Sequence, residues 1–78
     1  MRELKKWADS RPDLVLLARM IADFQQAEGR DASEFFRWRL TGYLNALWDT
    51  KVINDAQWDW FGAEVSAFMR KIREAGHV

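Results

Sequence analysis

Catalysis and metal binding need particular side chains at particular spacings, and this sequence holds few of them. Its only histidine, His77, is the next-to-last residue, in a stretch expected to fray, where an imidazole is ordinarily just solvated. Cysteine is absent, which removes disulfides, thiol nucleophiles and Cys-based metal sites together. Asp55 and Asp59 stand one turn apart at the start of a predicted helix, where carboxylates complement the positive end of the helix dipole. No third ligand or neighbouring base accompanies them, so the spacing reads as dipole complementarity rather than as a metal or acid–base pair. The run Asp49, Lys51, Ile53, Asn54, Asp55 is superficially like a calcium loop, but it lacks the alternating oxygen ligands and the central glycine. The glycines are too dispersed to cradle a phosphate. These features point away from an enzyme, and no metal or cofactor is expected.

Two constellations of another kind remain. Arg37, Trp38 and Arg39 put an indole between two guanidinium groups, and Arg70, Lys71 and Arg73 make a basic end to the last helix. Together they could hold phosphates with Trp38 as a stacking platform for a base. Cations at a helix C-terminus are also favourable with no ligand at all, and nothing resembles a recognition helix carrying several base-reading side chains. The second constellation is a set of apolar residues off the main core faces. Trp38, with Arg37 and Thr41 beside it, lies on the reverse of one helix, and Ala56, Trp60, Ala63 and Ala67 form a narrow stripe on the reverse of the next. Val15 and Trp48 also fall off the core stripes. A short N-terminal helix carrying Leu4 and Trp7 is expected to cover Trp38 or Trp60 but not both. The remainder would be an apolar patch rimmed by charge, built from residue types enriched at interface hot spots.

Charge along the chain gives such a surface a direction. Asp49, Asp55, Asp59 and Glu64 face only Lys51 in their segment, whereas Arg70, Lys71 and Arg73 outnumber Glu74 in the next. A molecule with an acidic end and a basic end can pair antiparallel with itself or steer a charged partner. The reading is therefore a small non-enzymatic interaction or regulatory protein that binds another protein stoichiometrically, as a homodimer. The partner-binding residues would be Arg37, Trp38, Thr41, Ala56, Trp60, Ala63 and Ala67. The alternative is a nucleic-acid-binding accessory protein using Arg37, Arg39, Arg70, Lys71 and Arg73.

The elements that must position these residues follow from size and periodicity. At 78 residues the chain fits one domain, residues 1–78, near the lower limit for a core without staples. Five Trp and five Phe offset that limit, because each buried aromatic removes a large apolar area from water. Twelve basic residues balance twelve acidic ones, so no overall field draws the molecule to nucleic acid or anionic lipid. There is no signal-peptide pattern after the first residues and no apolar run long enough to span a bilayer, which leaves a reducing cytoplasm as the expected setting.

The fold expected is all-α, a small bundle of three main helices plus a short N-terminal one over residues 2–8. Ser10 with Asp13 resembles a capping box for the second helix, and Arg11, restrained by Pro12, is the other candidate cap. Leu14, Leu17, Met20, Ile21 and Phe24 share a face of that helix, which should stop at a left-handed Gly29. Asp31 and Glu34 predict the next cap, and Phe36, Leu40, Tyr43, Leu44 and Leu47 the core stripe of the central helix. That helix is apolar on more than one side, as expected in the middle of a bundle or against a partner. It should end around residues 49–51. Asn54 and Gln57 predict a third capping box after Ile53, and Trp58, Phe61, Val65, Phe68, Met69 and Ile72 make the inner face of a last helix ending near Gly76. Gly42 and Gly62 lie inside helices, where close approach of a neighbour is the expected reason for them.

Overall fold

The computed structural model describes residues 1–75; Gly76, the expected end of the last helix, and His77 lie outside the described residues. Helix α1 spans Arg2–Asp9, α2 Val15–Gln26, α3 Arg30–Asp49 and α4 Asp55–Ala75, with a 3₁₀ turn over Pro12–Leu14 leading into α2. The architecture is the all-α one expected, three main helices with a short N-terminal helix packed on them. Among the described residues no helix is long and apolar enough to cross a membrane.

Helix α3 occupies the middle, with α2 against one flank and α4 against the other, while α1 lies on α2. The core follows the apolar spacing of each helix. Leu17, Met20, Ile21 and Phe24 of α2 interlock with Leu40, Leu44 and Leu47 of α3 and with Phe61, Val65 and Met69 of α4. Leu4 and Ala8 close it from α1. Phe24 and Phe61 are wholly buried, and each such burial contributes about 1.5–3 kcal/mol. Phe36, Tyr43, Trp58, Phe68 and Ile72, at the edges of the apolar stripes, are partly buried around this centre.

Helix ends show where local signals prevailed. The Asn54 box forms as the sequence predicts: the Asn54 amide donates to Gln57 Oε1 at 2.9 Å and the Gln57 amide to Asn54 Oδ1 at 2.8 Å. Ile53, just before the cap, is buried, consistent with a hydrophobic staple. The Ser10 box does not form. The Ser10 hydroxyl donates backwards to the Trp7 carbonyl at 2.6 Å, closing α1 instead. Arg11 takes the boundary position, with φ −113° and ψ 89°, as a residue before proline must avoid the helical region. Its guanidinium clasps Asp13 through bonds of 3.0 and 2.7 Å, and this hydrogen bonding holds the Asp13 carboxyl below its ordinary range.

Two further expectations are corrected at the α2–α3 junction. Helix α2 ends at Gln26 with Ala27 extended, so Gly29 is not its C-cap. Gly29 instead precedes α3 with φ +86° and ψ 163°, a conformation essentially open only to glycine. That turn starts α3 at Arg30 with no side-chain cap, so the Asp31–Glu34 box is absent. Asp31 falls inside the first turn, where its charge complements the dipole, and Glu34 faces Arg37 and Arg73. Ser33, sealed from solvent, donates its hydroxyl to the Gly29 carbonyl at 2.8 Å. At the far end of α3, Lys51 adopts a positive φ of 63°, and the Val52 amide returns to the Leu47 carbonyl at 2.9 Å.

One polar tie crosses the whole sequence. The amino group of Met1 donates to Glu64 Oε2 at 2.8 Å, and this bond keeps the Glu64 carboxyl below its ordinary value, against the opposing effect of burial. A depressed carboxylate stabilises the fold fully above its unfolded value and loses that contribution as pH falls through the folded one. The stability difference between wild type and Glu64→Gln should therefore be largest at neutral pH. It should close as pH drops below about 4.5, as measured by denaturant titration at a series of pH values.

The close-approach expectation for Gly42 and Gly62 is also overturned, since an added Cβ at either would meet nothing within 4 Å. Both glycines are exposed in helix interiors, so they retain their entropic cost with no packing gain within the chain. Gly42→Ala and Gly62→Ala should each raise stability by about 0.5–1 kcal/mol. The check is a thermal melt, in which either variant should unfold a few degrees above wild type.

Candidate functional site

Successive helical residues point about 100° apart, and this separates the Arg37, Trp38, Arg39 triplet in space. Arg37 lies over the Trp38 ring, 4.8 Å from its centroid, and 3.5 Å from Glu34. Arg39 reaches the other way, to Asp23 of α2 at 3.7 Å. Trp38 therefore stacks with one guanidinium, and the indole itself is 61% exposed. Thr41, one turn on, is half-buried.

Arg37, Trp38 and Thr41 form one wall of a groove between α3 and α4, whose opposite wall is Trp58, Gly62 and Ser66. Leu44 and Val65, both buried core residues, make up its floor. Asn45 closes the end, accepting the Trp58 indole N–H at 2.9 Å. Trp58 also stacks on Trp48, with ring centroids 4.6 Å apart, and Trp48 donates its own N–H to Asp55 at 2.7 Å. This chain of bonds holds the Trp58 wall in place before anything binds, whereas Trp38 opposite is free on its outer side. The groove encloses about 130 Å³, well under the ~300–1,000 Å³ of small-molecule sites. It is close to the ~150 Å³ cavity that holds a single benzene ring.

Trp60 and the three alanines of the same stripe belong to a different surface. Ala56, Trp60, Ala63 and Ala67 are exposed along the outer side of α4, and none of them lines the groove. Trp60 leans on Phe61, ring centroids 5.0 Å apart, beside the place where Trp7 of α1 packs on the same Phe61 at 4.9 Å. The N-terminal helix thus covers Phe61, leaving Trp60 partly and Trp38 largely open. The partner-binding set resolves into a groove on one side and an outer helix face on another.

Of the basic residues, Arg37 and Arg73 are brought together. Arg73 lies 3.6 Å from Glu34, sharing that carboxylate with Arg37. Arg70 and Lys71 are exposed and make no ion pair among the described residues. Arg39 is directed away from them, to Asp23, so three of the five cations lie beside carboxylates.

Three wider depressions carry no convergent chemistry, one of them, about 500 Å³, lying beside the Trp48–Trp58 stack and Asp49. The one at the α3–α4 turn, about 630 Å³, is lined by Asp49, Lys51 and Asp55, and the Asp55 carboxylate already serves the Trp48 indole. The one between the α2–α3 junction and the end of α4, about 670 Å³, holds Glu34 and Arg73, which face one another. Asp59 is exposed and apart from the groove.

Sequence reasoning missed Trp58, Asn45 and Gly62 as members of the groove. Trp58 reads as core from its spacing, and its partner Asn45 is on another helix, so no local pattern joins them. Gly62 carried a signal, a glycine in a helix interior with a cost to explain, but its open side became visible only with the helices assembled. No protein-family model matches the chain, and the searches of curated proteins and of solved structures likewise found no match.

Proposed function

We propose that the protein acts without catalysis, by stoichiometric binding of another protein, and that it does so as a homodimer. The single observation that carries the binding reading is the exposed Trp38 beside a preorganised groove sized for one side chain. An indole left open to water gains when a partner covers it, and Trp and Arg are among the residue types enriched at interface hot spots. The fixed Trp58 wall favours the same use, because a site ordered in advance loses less entropy on binding. The partner's matching feature is an apolar side chain projecting from its surface into the groove. The absence of cysteine supports a reducing, cytoplasmic setting. Nucleic-acid binding is the less favoured reading, because Arg37, Arg39 and Arg73 already face carboxylates.

The test uses Trp38→Ala beside wild type in quantitative capture from the native host. Wild type should retain a partner at a fixed molar ratio, and the variant should lose it, by about tenfold or more in affinity for a central Trp. Stability should change by no more than about 0.5 kcal/mol, since the side chain is exposed. Equal recovery by both proteins would remove Trp38 from the binding site. Tight binding to generic DNA or RNA that weakens steeply with salt, and is lost in Arg37→Ala/Arg39→Ala, would instead establish the nucleic-acid reading.

A further inference from the structure

We propose that the outer face of α4 is where two copies of this chain meet, antiparallel, about a two-fold axis level with Val65. The inference rests on the homodimer reading above and assigns it a surface and a register. Asp59, Trp60, Ala63, Ala67, Arg70 and Lys71 are all exposed on this helix. Asp59 and Arg70 are eleven residues apart, which at about 100° per residue brings them to within about 20° of one line along the helix. Trp60 and Lys71 have the same separation and form the opposite edge of the face, with Ala63 and Ala67 between the two edges.

A two-fold axis perpendicular to antiparallel helices brings the same edge of each copy together. Asp59 then meets Arg70 of the second copy, Trp60 meets Lys71, and Ala63 meets Ala67, each contact occurring twice. The first is an ion pair and the second a cation–π contact. The third lets the helix axes approach closely, because the spacing between helices is set by side-chain size at the contact. Helix α1 borders the Trp60–Lys71 edge, with Trp7 and the Met1 amino group over Phe61 and Glu64, and leaves Trp60 and Lys71 exposed. The chain as a whole carries a formal net charge of zero, so two copies approach without overall repulsion. Charge complementarity within one face is what selects a second copy as its occupant: acid and base lie on one edge, aromatic and cation on the other, in positions that an antiparallel copy matches.

Sedimentation equilibrium at low ionic strength, from micromolar to millimolar protein, tests the inference with a charge-swap set. Wild type should be a reversible dimer. Asp59→Arg alone and Arg70→Asp alone should each weaken it by about tenfold or more, as like charges come to face one another. An equimolar mixture of the two single variants should recover the dimer, and so should the double variant D59R/R70D. Circular dichroism should show each variant as helical as wild type, because both positions are exposed. A wild-type dimer indifferent to every swap would overturn the α4 face while leaving the homodimer reading in place. A wild type that stays monomeric throughout would overturn both, without touching the binding of a different protein at Trp38.

Discussion

Helix α4 is tied to the helices remote from it in sequence by two aromatic contacts, and the rest of the bundle depends on them. Phe61 lies under Trp7 of α1, with ring centroids 4.9 Å apart, and Phe68 meets the edge of Phe24 of α2 at 4.8 Å. Phe61 and Phe24 are completely buried. A short loop delivers α4 to α3, but no short loop delivers it to α1 or α2. A chain this small has few apolar residues to spare, so large rings that bridge helices are the efficient way to enclose a core. The eight residues of α1 are too few to hold a helix by themselves, and their docking through Leu4, Ala8 and Trp7 is what keeps them ordered.

Once those contacts orient α4, the side chains between α3 and α4 divide into two kinds. Trp48 and Trp58 are stacked and each gives its N–H to an acceptor within the chain. They behave as structure, closing one side of the groove and stiffening the turn from Asp49 to Asp55. Trp38 has only Arg37 over one face and remains mostly in water. The contrast between indoles bonded within the chain and one left in water, within one short segment, is the physical basis for proposing Trp38 as the binding residue. Gly62 belongs to the same division, since a side chain there would narrow the groove without relieving any contact inside the fold.

The same geometry explains why adjacent residues do not form a shared site. Arg37 and Arg39 are two residues apart, so the helix sends one toward the α4 groove and the other toward α2; Arg37 pairs with Glu34 of its own helix and Arg39 with Asp23 of α2. Glu34 gathers Arg37 and Arg73 from two helices, a local neutralisation with no counterpart in the sequence pattern. Asp59, Arg70 and Lys71, which make no ion pair among the described residues, are exposed on α4 along with Trp60 and its alanines.

Much of the fold was legible in the residues themselves. The apolar period of α2 and α4, the Asn54–Gln57 cap and the restraint of Pro12 on Arg11 are local effects, and each acts over a few residues in any context. Where two local signals competed, only the assembled chain decided. Ser10 closed α1 rather than opening α2, and the backbone of Gly29 started α3 before Asp31 could cap it. That Trp38 and Trp60 lie off the core stripes was legible, but not that both stay exposed: α1 was expected to cover one of them and packs Trp7 on Phe61 instead. Composition and periodicity by themselves thus determined the helices and most of their inner faces, but not which aromatics stay exposed, Phe35 among them. Only the tertiary structure decided that Trp38 lines a groove which Trp60 does not reach and that Trp58 and Asn45 complete that groove, because those relations join residues on different helices.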